Sequence, residues 1–186
     1  MFRKSIFLAL ALAAAPALAV QAQQVLQAQG TPATGPYTHP ASGITFPATL
    51  GEFRRVKVER PAEGSGVDVL YALITPAARI GVTILVEKMP PEISSCAEVA
   101  TAFRGVVLQD HPDAVFTALT PPPIATYTAA GFSARYKDTS PYTGGSDQHF
   151  YCGGGWVVTF DFIHAPDLDA AAQERAFLAA LALPRR

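Results

Sequence analysis

Residues 79–89 read RIGVTILVEKM, and this stretch decides the fold class. Its branched apolar residues fall at every second position: Ile80, Val82, Ile84 and Val86. A period of two is typical of a β-strand with one buried face, whereas a helix repeats every three to four residues. The prolines at 90 and 91 end the strand, because proline cannot donate a hydrogen bond to a neighbouring strand.

Similar patterns flank this strand on both sides. They predict strands over 43–50, 53–60, 67–75, 116–119, 124–137, 148–152 and 156–164. Gly131, in the middle of a long strand, indicates a β-bulge. The glycines at 153–155 lie between the last two strands, which predicts that these strands form a hairpin.

Two stretches have the pattern of amphipathic helices. Ser95 and Glu98 match the S-x-x-E capping box, and the apolar residues behind them repeat with helical spacing to about residue 109: Cys96, Val99, Ala100, Phe103 and Val107. A second helix is predicted after Asp167, its expected N-cap, with three residues on its apolar side: Phe177, Leu178 and Leu181.

Strands outnumber helices in this order, and most of the connections are short enough for antiparallel pairing. We therefore predict a single α+β domain over residues 43–183. Its main feature is an antiparallel β-sheet of about six to seven strands, packed with two helices.

Three stretches carry a family resemblance: 43–58 (GITFPATLGEFRRVKV), 79–89, and the strand, glycine-rich turn, aromatic strand and helix of 151–182. Together they resemble the Mog1/PsbP-like α+β family, which includes small exported bacterial domains related to DcrB. The resemblance implies an antiparallel sheet flanked by helices and a role as an accessory or binding protein. It supplies no catalytic residues, and the two cysteines are not part of the family pattern.

The N-terminus has the layout of a secretory signal peptide. Residues 1–19 read MFRKSIFLALALAAAPALA, with a basic start, a short apolar run and a small-x-small site before Val20; a second site precedes Gln23. Residues 20–42, rich in Gln, Pro and Thr, are predicted to be a disordered linker in which His39 is solvated. We expect a periplasmic or extracellular protein without stable membrane insertion after cleavage.

The net charge of the chain indicates which class of partner it does not bind. The 186 residues are 49% hydrophobic and 16% charged, with a formal charge of −1. Cleavage after residue 19 removes Arg3 and Lys4, which leaves 12 basic and 15 acidic side chains, a net charge of −3. A mildly acidic protein is a poor electrostatic match for nucleic acid, so we expect none as a partner.

The chain has two cysteines, Cys96 and Cys152, and no CxxC motif. In an exported protein such a pair predicts one disulfide. A bond that closes a loop of this length stabilises the fold by roughly 4 kcal/mol in the chain-entropy model. The alternative is a pair of free thiols, one of which acts as a nucleophile.

His149, Asp161 and His164 are possible metal ligands, but the expected strand register separates them. If residues 153–154 form the hairpin turn, the partner of His149 is Val158. His164 then lies six residues further on, on the order of 20 Å away at about 3.3 Å per residue. Asp161 and His164 face opposite sides of the sheet, because their numbers differ by an odd amount. The sequence therefore predicts no metal and no cofactor.

Asp161 has two interpretations. In the first it is a buried carboxylate with a perturbed pKa, and therefore a functional candidate. In the second, which is favoured because unpaired buried carboxylates are rare, it lies on a half-exposed strand face with Val157, Thr159 and Ile163. The opposite face is the expected core face: Trp156, Val158, Phe160 and Phe162.

The polar loop 138–147 is the best binding candidate, because loops on a rigid sheet often carry recognition. The residues concerned are Tyr142, Asp138, Asp147 and the adjacent His149. No nucleophile elbow, GxGxxG or P-loop motif occurs, and Ser65 lies in a turn.

The sequence therefore predicts a non-enzymatic exported domain that binds an unknown protein or envelope component. The alternative is a small exported hydrolase or small-ligand-binding protein that uses the Asp161/His149 hairpin or the Tyr142 loop. A third possibility is an apolar ligand held between sheet and helix, near residues 156–162.

Overall fold

The computed structural model describes residues 34–60, 66–124, 126–137, 145–165 and 167–184. Within these ranges the chain forms ten strands and two helices. The strands are β1 (Tyr37–Thr38), β2 (Thr45–Phe46), β3 (Thr49–Leu50), β4 (Phe53–Glu59), β5 (Val67–Ile74), β6 (Arg79–Lys88), β7 (Val115–Leu119), β8 (Thr128–Arg135), β9 (Gly145–Gly153) and β10 (Trp156–His164). The helices are α1 (Cys96–Asp110), between β6 and β7, and α2 (Ala171–Ala180), after β10.

Eight of the strands form one antiparallel sheet in the order β3-β4-β5-β6-β10-β9-β8-β7, while β1 and β2 pair separately. Each strand of the large sheet pairs antiparallel with its neighbours. This confirms the predicted α+β class, with eight strands in the main sheet. The central strand pair is β6–β10, which joins the N-terminal strands to the C-terminal ones.

The two faces of the sheet carry separate hydrophobic cores. On one face lies α2, whose Phe177 packs edge-on against Phe53, Tyr71, Phe160 and Phe162. On the other face α1 packs on β8 and β9, where its buried residues meet a smaller apolar group: Val99 and Ala100 with Phe132, Phe150 and Val157. We call these the α2 face and the α1 face.

The start of α1 follows the capping prediction. The hydroxyl of Ser95 accepts a hydrogen bond from the backbone N–H of Glu98 at 3.3 Å. The carboxylate of Glu98 in turn accepts from the backbone N–H and the hydroxyl of Ser94, at 2.8 and 2.9 Å. These bonds satisfy N–H groups that have no partner within the helix.

The hairpin register differs from the prediction by one residue. The turn is formed by Gly154 and Gly155, with φ of 58° and 80°. Gly153 therefore pairs with Trp156, and His149 pairs with Phe160 rather than with Val158. A two-residue turn with positive φ at both positions suits glycine, and any two adjacent glycines of 153–155 meet that requirement.

Two other local predictions are also corrected. The irregularity in the ladder lies in β4, between Arg55 and Lys57, and not at Gly131. Gly131 is instead a point of close approach, because a Cβ there would lie 2.7 Å from the carbonyl oxygen of Gln148. The second helix begins at residue 171 with Ala170 as its N-cap, while the carboxylate of Asp169, not Asp167, accepts from its first N–H.

The described chain begins before the predicted domain boundary at residue 43. Tyr37 and Thr38 form β1, which pairs with β2, and His39 is buried rather than solvated. The imidazole of His39 bonds to the hydroxyl of Ser42 at 2.8 Å. The predicted signal peptide and residues 20–33 of the predicted linker lie outside the described residues. Neither α1 nor α2 is long and apolar enough to cross a membrane.

Candidate functional site: a buried histidine–carboxylate cluster

Four ionisable side chains meet between the sheet and α2. Asp147 and His149 lie on β9, His164 ends β10, and Glu174 lies on α2. The three strand residues share the α2 face, because 147 and 149 differ by two and His164 pairs with Gly145. None of the four is more than 8% exposed. We call these four residues the polar cluster.

Two histidine–carboxylate pairs make up the polar cluster. The Nε2 atom of His164 lies 3.2 Å from Oδ2 of Asp147, and Nε2 of His149 lies 3.2 Å from Oε2 of Glu174. The other oxygen of Glu174, Oε1, lies 3.9 Å from His164 Nε2. Glu174 therefore links the two pairs.

Further hydrogen bonds orient the His164–Asp147 pair. The Nδ1 atom of His164 lies 2.7 Å from the carbonyl oxygen of Ala165. Arg135 donates to both oxygens of Asp147, from Nη1 to Oδ1 at 2.9 Å and from Nη2 to Oδ2 at 3.3 Å. The hydroxyl of Ser133 also bonds to this carboxylate. Such two-point contacts hold a carboxylate in one orientation.

The environment shifts the pKa values in the polar cluster in different directions. Burial works to raise the pKa of Asp147, but hydrogen bonds from His164, Arg135 and Ser133 outweigh it and lower that pKa. Burial raises the pKa of Glu174, and the hydrogen bond from His149 offsets it only in part. For His164, burial favours the neutral ring, but the bond to Asp147 raises its pKa overall.

Asp161 lies on the opposite face, as predicted from its parity, but it is buried and not half-exposed. Burial, together with the charge of Asp147, raises the pKa of Asp161 to about 7, although Gln148 and Ser146 donate hydrogen bonds to it. Its Oδ1 atom has no hydrogen-bond partner. The favoured interpretation, in which Asp161 lies on a half-exposed face, is thus wrong. The carboxylate is buried next to the polar side chains of Gln148 and Ser146 on β9.

The remaining predicted site residues fall in two groups. Tyr142 and Asp138 lie outside the described residues. Asp147 and His149 are part of β9 and buried, since that strand begins at Gly145, three residues earlier than expected. These two residues are therefore buried strand residues, while residues 138–144 of the predicted binding loop lie outside the described residues.

The predicted cysteine pair is bonded in the structure. The Cα atoms of Cys96 and Cys152 lie 5.6 Å apart and the sulfur atoms are joined. That separation is within the range that a disulfide requires. The bond ties the first turn of α1 to the end of β9.

Glu174 and Arg135, which complete the site, were not predicted from the sequence. The possible metal ligands weighed there all lie on the last two strands, and the predicted register placed His149 and His164 too far apart to share a ligand. The helix supplies the connection. A signal was present, because Glu174 lies three residues before Phe177 on the same helical stripe. A charged residue on a buried stripe needs a polar partner.

A shallow depression lies at the N-terminal half of the sheet. It is lined by Lys57, Glu59, Asp68, Val69, Leu70 and Thr83, and its cavity volume is about 10 Å³. That volume is far below the roughly 300–1,000 Å³ of sites for drug-sized ligands.

Comparisons with known proteins bear on the fold. No protein-family model matches the sequence, and no curated protein matches it. Among solved structures, the chain is similar to the solution structure of cyanobacterial PsbP (CyanoP) from Synechocystis sp. PCC 6803, with a TM-score of 0.52 and 13% sequence identity. The similarity covers 84% of this chain and 96% of that chain. The chain therefore has a PsbP-like fold.

Proposed function

We propose that this protein is an exported, non-enzymatic accessory domain that binds a protein or another component of the cell envelope. The observation that carries the proposal is the PsbP-like fold over 84% of the chain. The sequence resemblance supports the proposal, because members of the Mog1/PsbP-like group usually act as accessory or binding proteins. The narrower relation to Mog1 and to DcrB-like exported domains is part of the same proposal.

Two features support export. Residues 1–19 have the basic start, apolar run and small-residue site of a signal peptide. Cys96 and Cys152 form a disulfide, and disulfides persist in oxidising compartments but are rare in the cytosol. Both point to the periplasm or the exterior.

The arrangement of the polar residues favours a non-enzymatic role. Asp161 and His149 lie on opposite faces of the sheet and cannot act as an acid–base pair on one substrate. The hydroxyl of Ser133 bonds to Asp147 and not to an imidazole, whereas a nucleophilic serine needs the base beside it. The space between sheet and α2 is filled by aromatic side chains around Phe177, which leaves the apolar-ligand hypothesis without support.

Export is tested by expressing the full chain with its own signal in a Gram-negative host. We expect the protein in the periplasmic or extracellular fraction, with an intact mass that begins at Val20 or Gln23. A control that lacks residues 2–19 should remain in the cytoplasm. A full-length mass in the soluble fraction would contradict the proposal.

Partner binding is tested with a photo-reactive amino acid placed, one position at a time, at three exposed apolar residues in different regions: Ile74, Leu108 and Val115. A specific partner should give a discrete adduct from one position and not from the other two. Excess unlabelled mature protein should compete for that adduct. Absence of adducts at all three positions, or the same adducts at all three, would argue against a dedicated partner.

A further inference from the structure

We propose that Asp147, His164 and Glu174 bind a divalent transition-metal cation of the zinc class. One donor atom from each residue lies within 4.8 Å of the other two, and all three residues are buried. They come from β9, β10 and α2, so the site exists only in the folded chain. This inference goes beyond the partner binding proposed above and does not depend on it.

The orientation of the His164 ring is the first argument. Its Nδ1 atom faces the carbonyl oxygen of Ala165 at 2.7 Å. A carbonyl oxygen only accepts hydrogen bonds, so Nδ1 carries a hydrogen. In the neutral ring Nε2 then presents a lone pair, and it faces the carboxylates of Asp147 and Glu174. A cation that replaces the hydrogen on Nε2 would therefore have one imidazole nitrogen and two carboxylate groups as ligands.

Glu174 supplies a second, independent observation. Its Oε2 atom is held by His149, but its Oε1 atom is buried without any hydrogen-bond partner. Oε1 is the oxygen that lies 3.9 Å from His164 Nε2. A buried, unpaired carboxylate oxygen is costly in free energy, and a bound cation would remove that cost.

The distances and the atom types fit zinc. Zinc binds imidazole nitrogen and carboxylate oxygen at about 2.0–2.2 Å, so tetrahedral ligand atoms lie about 3.3 Å from each other. The separations of His164 Nε2 from Asp147 and Glu174 are 3.2 and 3.9 Å. Calcium prefers six to eight oxygen ligands, and magnesium keeps several waters, so neither fits a buried site with an imidazole.

The surrounding residues position these ligands in the manner of a metal site. The hydrogen on His164 Nδ1 bonds to a backbone carbonyl, which is the usual second contact of a metal-binding histidine. Arg135 fixes Asp147, and His149 fixes Glu174. Three protein ligands leave the fourth tetrahedral position for a water or for a group from a partner.

Calorimetric titration of the mature protein tests the site. The protein is treated with a chelator, exchanged into metal-free buffer and titrated with zinc chloride. We expect one zinc ion per chain. A free zinc concentration of about 100 times Kd should raise Tm by about 5–10 °C. No zinc-induced change in Tm and no binding heat would overturn the proposal and leave a proton on His164 as the positive centre.

Variants locate the bound ion. Glu174→Gln and His164→Gln should each weaken zinc binding by at least about 10-fold, because each removes a direct ligand. Two controls should retain the wild-type affinity within about 2-fold: Asp161→Asn, a buried carboxylate on the α1 face, and His111→Gln, a histidine at the end of α1. Wild-type affinity in both ligand variants would place the zinc elsewhere and refute the site.

Cobalt(II) spectroscopy of the wild-type protein tests the site even if the ligand variants do not fold. Cobalt(II) bound by the wild-type chain with four ligands gives strong visible absorption, and zinc should displace it. Circular dichroism of each metal-free variant shows whether it is folded. The weak spectrum of six-coordinate, water-bound cobalt in the wild-type protein would contradict the proposal even if no variant can be purified.

Discussion

Asp147 and Asp161 lie on the same pair of strands but on opposite faces of the sheet, and their pKa values are shifted in opposite directions. Both are buried, which by itself raises the pKa of a carboxyl group. Asp147 receives hydrogen bonds from an arginine and a histidine, and the pKa of Asp147 is lowered. Asp161 receives them only from neutral side chains, and its pKa rises to about 7.

Replacing Asp161 by asparagine should stabilise the protein at neutral pH. The pKa of Asp161 is about 7 in the folded chain, against a model-peptide value of 3.8 for the unfolded chain. The stability that the protonated carboxyl group contributes is complete below pH 3.8 and is lost as the pH rises through 7. Between pH 5 and pH 8 the free energy of unfolding of the wild type should fall by about 2–3 kcal/mol relative to that of Asp161→Asn.

Urea unfolding of both proteins at the two pH values measures this difference. The exposed Asp167 provides the control, because Asp167→Asn should follow the wild type at both pH values. If the wild type and Asp161→Asn differed by the same free energy of unfolding at pH 5 and at pH 8, Asp161 would have an ordinary pKa.

Removing the disulfide should destabilise the fold. The bond joins residues 56 apart, and the chain-entropy model gives about 4 kcal/mol for a loop of this length, less any strain. We expect the double variant C96A/C152A to lose about 2–4 kcal/mol in urea unfolding. A reducing agent should lower the stability of the wild type and leave that of the double variant unchanged. Peptide mapping that finds both thiols free in exported protein would contradict the bond.

Two glycine-to-alanine changes should have opposite effects. At Gly131 a Cβ would lie 2.7 Å from a backbone oxygen of β9, so Gly131→Ala should cost about 1–3 kcal/mol. Gly105 is exposed in α1 with open space around it, and Gly105→Ala should add about 0.5–1 kcal/mol. Thermal unfolding of both variants tests the pair; a stabilising Gly131→Ala would mean that β8 and β9 approach less closely.

Phe177 should be the most sensitive position on α2. Its ring is fully buried against four aromatic side chains of the sheet. Phe177→Ala should therefore cost about 3–5 kcal/mol, because it leaves a cavity between helix and sheet. Arg175→Ala, an exposed change on the same helix, should alter the stability by no more than about 0.5 kcal/mol. A small loss for Phe177→Ala in urea unfolding would mean that α2 is loosely packed.

The elements with a clear local pattern could be predicted from the sequence. The alternation in β6 and the capping residues of α1 are local features, and each needs only a few neighbouring residues to be recognised. The early start of β9 could not be recognised in this way. Residues 145–149 are glycine or polar, yet they form a strand because β8 and β10 pair with them on both sides.

The polar cluster could not be predicted from local sequence patterns, for a different reason. Its four residues come from three elements, and the position of α2 over the sheet brings Glu174 to the two histidines. The hairpin register also depends on which two of three glycines form the turn, and their local properties are the same. Long-range packing decides both questions.

Both the disulfide and the polar cluster include residues of β9, on opposite faces of the sheet. Cys152 points towards α1, whereas Asp147 and His149 point towards α2. A slip of β9 by one residue would reverse both faces together. It would move Gln148 beneath Glu174 and carry Cys152 away from Cys96. The sulfur atoms can therefore join only in the register that also builds the histidine–carboxylate contacts. The Cys96–Cys152 bond and the polar cluster on the other side of the sheet thus require the same register of β9.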